Sequence, residues 1–412
     1  MAFNKLMMSL KTVLAEPEEV SNQSRQAKQK KKIIRALSKA EGPLTIPDIQ
    51  KQIKTSTPTI IKLLNELMAD DLVMEEGKKE TDNGRRPTLY KLNIQRFYAV
   101  GVEILFKRIS ISVVRLDQKV VFEKQDKQFK LEDDKECLEN VISFTEEAME
   151  ECEISKEHIL GIGMGITGRV NSNTGESYNF FTFTEKPLAT YLSNRFDKQV
   201  FIDNDTHIMG LAEQVLGKAK EARHALILNV SRGLGMSIIA NNRIITGGMG
   251  FAGEFGHMQM GNSQKLCICG KRGCLGMEVS GYALEENFKS AIKEGGISLA
   301  VNNKSPEDIR YDDILSAADK GDGLSISLLQ SMGETLGMAL GNIVNLLNPE
   351  LVIIGGKFAQ AGYMFTDSIK TGMNKTALTV PLRFLNIKTS SLGNGSGCSG
   401  AAAMVFKQYD LI

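Results

Sequence analysis

No stretch of this 412-residue chain approaches the ~18 consecutive apolar residues that a membrane-spanning helix needs. Its opening, MAFNKLMMSLKTVLAEPEEV, also lacks a compact apolar region followed by a small-residue cleavage site. The two absences argue against membrane insertion and export, so a cytoplasmic protein with no membrane partner is expected. Cysteine is scarce, at six residues. Cys137, Cys152 and Cys398 are scattered, as reduced buried thiols usually are, and do not read as a disulfide framework. Histidine is scarcer still, at four residues. A strong net charge is missing too, with 50 Lys and Arg against 49 Asp and Glu. A content of 42% hydrophobic and 24% charged residues is that of a soluble globular protein with room for two or three domains.

The near-neutral total hides an asymmetry. Residues 1–96 hold 18 Lys and Arg against 12 Asp and Glu, and the remainder holds 32 against 37. A modestly basic head on an acidic body fits a nucleic-acid-binding module attached to something else.

Residues 1–29 read as a polar extension ending in the basic run Gln26–Lys32, and residues 30–95 as the first domain. Ile33, Ile34 and Leu37 have helical spacing, and Gly42-Pro43 stops that helix. Thr45 is placed to cap a second helix with Pro47 in its first turn. After the turn Lys54-Thr-Ser-Thr, Thr57-Pro58 opens a third helix through Ile60, Ile61, Leu63, Leu64, Leu67 and Met68. A tight turn before the third helix is a helix-turn-helix pattern. The start of the third helix would offer Ser56, Thr57, Thr59 and Lys62 to phosphates and base edges. Leu72–Glu76 and Thr88–Leu92 read as strands around a polar turn, the wing of a winged helix. Arg85 and Arg86, between Gly84 and Pro87, suit phosphate contact or minor-groove insertion. A three-helix protein-interaction module is the alternative.

From Phe97 the texture changes to strand-like runs alternating with helices, which argues for an α/β body over 96–412. Several of its apolar strands end in Gly or polar residues, where α/β proteins place sites. Within it, GHMQMGNSQKLCICGKRGCLGMEVSG (256–281) holds His257, Cys267, Cys269 and Cys274. Three thiolates and one imidazole are the ligand set of a closed, tetrahedral structural zinc site. Gly270 and Gly273 let the short loop turn its sulfurs inward. Disulfides are the alternative, but Cys-x-Cys is too close for easy internal pairing.

Four features of the body, in this order, resemble the ROK family (repressors, open reading frames and sugar kinases). They are Asp203-Asn-Asp205; Gly233-Leu-Gly-Met with the glycine-rich run Gly247-Gly-Met-Gly-Phe-Ala-Gly-Glu-Phe-Gly-His257; the CICGKRGC segment; and Asn348-Pro-Glu-Leu-Val-Ile-Ile-Gly-Gly. The resemblance covers about 30–412, head included. It implies an N-terminal winged helix-turn-helix followed by an actin-like, ribonuclease H-like, two-lobed sugar-kinase-type body. The small lobe would be about 96–210 plus 395–412 and the large lobe about 211–394, with assembly into a homodimer or tetramer. It also implies a sugar site. In the family's kinases the Asp matching Asp205 is the general base for a sugar hydroxyl, a role worth roughly 10²–10⁴ in rate. Asn204, Glu254 and His257 match sugar-binding partners, and His257 would serve zinc with one ring nitrogen and sugar with the other.

Two departures stand out. The family's kinases open the body with D-x-G-G-T, a turn that cradles ATP phosphates. Here the matching run carries Glu103, Leu105, Phe106 and Lys107. Without those glycines the backbone cannot approach a phosphate closely, and a Leu-Phe pair would fill the space. The family's Glu two residues after the last cysteine is Gly276 here, with Glu278 close by. The expectation is a sugar-responsive, DNA-binding repressor without catalysis, its partners operator DNA and a sugar effector and its metal Zn2+. The rivals are an ATP-dependent sugar kinase using Asp205 as base and carrying a DNA-binding head, and a regulator controlled by a phosphotransfer protein.

Overall fold

A computed structural model describes residues 22–80, 86–260, 263–302, 304–393 and 395–412. The chain divides into two compact units, Met1–Gly168 with Thr174–Ile202 and Gly397–Ile412, and Arg169–Asn173 with Asp203–Ser396. The boundary at Ile202/Asp203, earlier than the expected 210, gives the whole Asp203–Asp205 motif to the second unit.

The first unit opens with α1 (Asn22–Ser38), α2 (Ile46–Ile53) and α3 (Thr57–Ala69), then the antiparallel hairpin β1 (Val73–Lys78) and β2 (Thr88–Leu92). Helix α1 begins within the stretch read as an extension. Thr45 caps α2 as expected. Its hydroxyl accepts the Asp48 N–H at 3.4 Å, its own N–H donates to Asp48 Oδ2 at 3.1 Å, and this reciprocal box holds the Asp48 carboxyl below its usual range. Helix α3 buries Ile60, Leu63, Leu64 and Leu67, whereas Ile61 faces outward at 43% exposure beside Lys62. Leu44 adds a bridge to Tyr90. Three helices with a tight turn and a hairpin make a winged helix-turn-helix.

The head does not close its own core. Ile33, Ile34, Ile49, Ile60 and Leu63 join one apolar cluster with Phe97, Ala99 and Val114 and with Ala402, Val405, Phe406 and Leu411 from the far end of the sequence. Arg35 and Lys39 both pair with Asp410. Arg96 donates to Asp71 Oδ2 at 2.8 Å, anchoring the connection after the wing.

The sheet of the first unit runs β5 (Val120–Asp126), β4 (Arg108–Arg115), β3 (Tyr98–Leu105), β6 (Ile159–Ile166), β9 (Val200–Asn204). The short pair β7 (Val170–Asn171) and β8 (Glu176–Ser177) intervenes in sequence. Helix α4 (Lys135–Glu151), helix α5 (Leu188–Phe196) and the last helix, Ser396–Gln408, complete the unit. The second unit repeats the strand order: β12 (Arg243–Ile245), β11 (Leu234–Ala240), β10 (His224–Val230), β13 (Leu351–Gly355), β14 (Asn386–Thr389). In both sheets a three-stranded antiparallel meander leads to a parallel neighbour. The second unit begins its helices with α6 (Asp205–Val215) and continues with α7 (Gly281–Lys293), α8 (Tyr311–Asp319), α9 (Gly323–Leu347), α10 (Gly362–Met373) and α11 (Thr379–Phe384); the last helix of the chain is α12. The core of this unit joins Leu226, Leu228, Phe255, Phe288, Leu336 and Phe365. Among the described residues no helix is long and apolar enough to cross a membrane.

Candidate functional site

Strand β9 passes directly into α6, and the junction carries the Asp-Asn-Asp motif. Asn204 is the N-cap: its Oδ1 accepts the Thr206 N–H at 2.8 Å, and Asp205 Oδ1 accepts the same N–H at 2.8 Å. Both side chains stay partly exposed at a helix N-terminus, where the exposed amides favour an anion or a polar ligand. Asp203 is turned the other way. It is buried, and its Oδ1 receives the Asn204 N–H at 2.7 Å and lies 2.9 Å from His207 Nδ1. The other ring nitrogen of His207 lies 2.8 Å from the Ala252 carbonyl oxygen.

Ala252 belongs to the glycine-rich loop between β12 and the cysteine segment. Met236 N–H donates to Gly253 O at 3.1 Å, and Phe255 is buried in the core, so the loop is held on both sides of Glu254. Glu254 Oε2 lies 3.7 Å from His257 Nε2. The His257 ring has Nε2 toward Glu254 and Nδ1 3.6 Å from Cys267 Sγ.

Cys269 Sγ lies 3.5 Å from Cys274 Sγ, and the four ligand atoms of His257, Cys267, Cys269 and Cys274 all fall within 4.8 Å of one another. Ligands about 2.3 Å from a tetrahedral ion have edges of about 3.8 Å, so the cluster is sized for a metal. All six cysteines are free, which sets aside the disulfide alternative. Backbone geometry builds the cage. Cys267 N–H donates to Lys271 O at 2.8 Å, Gly270 N–H to Cys267 O at 2.9 Å, and Gly270 and Gly273 adopt φ of 82° and 77°. The backbone amide of Lys271 pulls the Cys269 thiol down to about 7, whereas burial and the neighbouring sulfurs push Cys274 up to about 12. Crowded sulfurs that resist joint ionisation are what a bound cation relieves.

Glu278, close to Gly276, is engaged with the loop itself. Its Oε1 accepts the Ser263 N–H at 2.5 Å and ties down the cysteine loop. A β-carbon at Gly276 would lie 3.2 Å from the Gly256 carbonyl oxygen.

In the first unit, Leu105 pairs with Arg108 across β3 and β4, so Phe106 and Lys107 form a two-residue hairpin turn. Arg108 Nη2 donates to Glu103 Oε2 at 2.6 Å, an ion pair in which neither side chain is more than 18% exposed. Phe106 packs edge-on against Phe180, with ring centroids 5.8 Å apart. The run that departs from the glycine turn thus carries a half-buried ion pair and an aromatic contact, with Phe106 still 41% exposed.

On the head, Ser56 Oγ and Thr59 Oγ1 lie 2.8 Å apart and Thr57 Oγ1 donates to Gln50 Oε1 at 3.1 Å. Lys62 projects with 62% of its side chain exposed, and Arg86 is exposed at the foot of the wing. Arg85 lies outside the described residues. His207 and Arg108 had no role assigned from the sequence. Asp203-x-x-x-His207, spanning one helical turn, was the one signal available for the former.

The ROK family model matches residues 99–408. The chain is 28% identical to the xylose repressor of Caldicellulosiruptor bescii, covering 87% of this chain and 90% of that protein. It is 26% identical to the DNA-binding transcriptional dual regulator NagC of Escherichia coli, covering 88% and 89%. Among solved structures, a ROK family transcriptional regulator homologous to the E. coli MLC protein aligns with a TM-score of 0.79 at 25% identity, over 94% of this chain and 98% of that one. A ROK family glucokinase from Streptomyces griseus aligns at 0.64 and 23% identity, over 98% of its own chain but 74% of this one. The actin-like body with a winged-helix head agrees with these matches, and the chain belongs to the ROK family.

Proposed function

We propose that this protein is a sugar-responsive, DNA-binding transcriptional repressor in which the ROK body senses a sugar and the head binds operator DNA. One observation carries the reading: a winged helix-turn-helix with an outward-facing third helix shares its apolar core with the body. A ligand that favours one conformation of the body is then felt by the head, through a difference in its affinity for two states. Asn204, Asp205, Glu254 and His257 would take the sugar hydroxyls, and His257, Cys267, Cys269 and Cys274 would hold a structural Zn2+. That ion would supply cross-linking charge to the loop and no reaction step. Two heads on a homodimer would read half-sites about one helical turn apart.

The test is binding to the DNA upstream of the protein's own gene, followed by fluorescence anisotropy and titrated with xylose, N-acetylglucosamine, glucose and mannose. One sugar is expected to weaken the complex at least about tenfold, the effect of a typical coupling free energy. Failure of every sugar to change the affinity sinks the sensing half of the reading. Lys62→Ala and Arg86→Ala are each expected to weaken binding on all sequences alike and to lower the slope of log affinity against log salt by about 1. A slope unchanged in both variants removes them from the DNA interface.

The Glu103–Arg108 ion pair on a hairpin that lacks glycines supports sensing over phosphoryl transfer. A coupled assay with ATP and the same sugars is expected to show no turnover above background. Turnover abolished by Asp205→Asn would establish the kinase reading instead.

A further inference from the structure

His207 is buried, at 3% exposure, yet both ring nitrogens sit at hydrogen-bond distance from oxygen atoms. Both oxygens are acceptors. The Ala252 oxygen is a backbone carbonyl, and Asp203 Oδ1 already receives the Asn204 N–H. A neutral imidazole has one N–H, so its second nitrogen would point a lone pair at an oxygen inside the protein. With Asp203 ionised, only the doubly protonated ring satisfies both contacts, and a buried cation is tolerated where a carboxylate pairs with it.

The two contacts join different parts of the second unit. Asp203 leads into the helix start that carries Asn204 and Asp205. Ala252 lies two residues before Glu254 in the loop that continues to His257. We propose that His207 is a positioning residue: held as an imidazolium between Asp203 and the Ala252 carbonyl, it fastens the 247–257 loop to the start of α6. It thereby sets the spacing between the Asn204–Asp205 pair and the Glu254–His257 pair. The consequence for effector binding rests on the sugar-sensing reading; the fastening does not.

The charged groups that face the ring are Asp203, at the end of β9, and Glu254, on the loop. Burial works against the charged ring, but Asp203, the Ala252 carbonyl and Glu254 outweigh it and raise the His207 pKa above its ordinary value. A raised folded-state pKa fixes the sign. The stabilisation is complete below the ordinary imidazole range and is lost as pH rises through the folded value. The loop is therefore fastened below the folded midpoint of His207 and loosens as pH rises through it.

With four histidines in the chain, the experiment is tractable. Long-range 1H–15N spectra of the full zinc-loaded protein, with the His207 signal assigned by its loss in His207→Gln, give the ring's titration directly. A midpoint above the ordinary value of about 6.5 is expected, with both nitrogens protonated below it. A midpoint at or below that value, or a neutral tautomer at pH 6.5, overturns the proposal. Hydrogen exchange then reads the loop. Amides of 247–255 are expected to exchange about tenfold to a hundredfold faster in His207→Gln at pH 6.5, the effect of losing a bond to a charged group. Once corrected for the intrinsic pH dependence of exchange, the wild type is expected to lose protection across its His207 midpoint while the variant stays flat. Equal protection in both proteins, or a flat wild-type profile, refutes the fastening; zinc content should not differ between them. If His207→Gln does not fold, the wild-type profile still decides. Calorimetric titration with xylose and N-acetylglucosamine separates the two ideas. Protection that follows pH without any sugar binding defeats the sensing reading alone, whereas sugar binding with pH-independent protection defeats the positioning role alone.

Discussion

Replacing Cys267 with serine is expected to abolish binding of the Zn2+ proposed for the loop. A structural zinc contributes about 10–16 kcal/mol at neutral pH, and a hydroxyl in place of a thiolate supplies neither the charge nor the soft donor that the ion prefers. The described residues from His257 to Cys274 are held mainly to one another, with Glu278 bonded to Ser263 N–H. Little apolar burial adds to these bonds, since Leu266 and Ile268 are exposed at 62% and 93%. Elemental analysis should find one zinc per chain in the wild type and close to none in Cys267→Ser, with faster amide exchange confined to 256–277. Cys152→Ser, at a buried thiol remote from the cluster in sequence, should keep its metal. Stoichiometric zinc in Cys267→Ser would refute the ligand assignment. A metal held there would also orient His257, so any sugar response should weaken in the same variant.

The second large effect is expected at Gly163 and Gly101. Helix α12 crosses β3 and β6 so closely that a β-carbon at Gly163 would sit 1.9 Å from Ala401 O, and one at Gly101 would sit 1.8 Å from Cys398 O. Separations below about 3 Å do not occur, so either substitution must push the helix away from the sheet. Overpacking typically costs about 1–3 kcal/mol, and here the obstacle is backbone, which cannot turn aside as a side chain can. We expect Gly163→Ala to lose about 3 kcal/mol or more, lowering the melting temperature by roughly 6–12 °C in calorimetry. Gly42→Ala, where the added carbon meets nothing within 4 Å, is the control and should be nearly silent. A Gly163→Ala protein that melts with the wild type would show that the helix is free to withdraw.

Much of the head was legible because helical periodicity and capping chemistry are local: Thr45 and Asp48 are three residues apart and settle the start of α2 by themselves. The four-ligand loop was legible because its ligand types are unusual and adjacent. His207 escaped because one of its partners is a backbone carbonyl 45 positions away, which no side-chain pattern records. The pairing of Arg108 with Glu103 depends on the register of β3 against β4, and the outward turn of Ile61 depends on which face of α3 the core selects. The glycines at 101 and 163 were visible, but the helix that requires them lies far along the chain.

That helix has a consequence for how the protein is made. The apolar cluster that seats Ile33, Ile49 and Leu63 is completed by Ala402, Val405, Phe406 and Leu411, and Asp410 reaches back to Lys39 across 371 positions. Synthesis runs from the N-terminus at about 5–20 residues per second, so the head leaves the ribosome well before these partners. For roughly 15–60 s it has three helices and a hairpin but an unfinished apolar underside. A nascent or truncated chain would therefore display sticky surface at the DNA-binding end, a window in which chaperone capture or premature clipping would fall on the head.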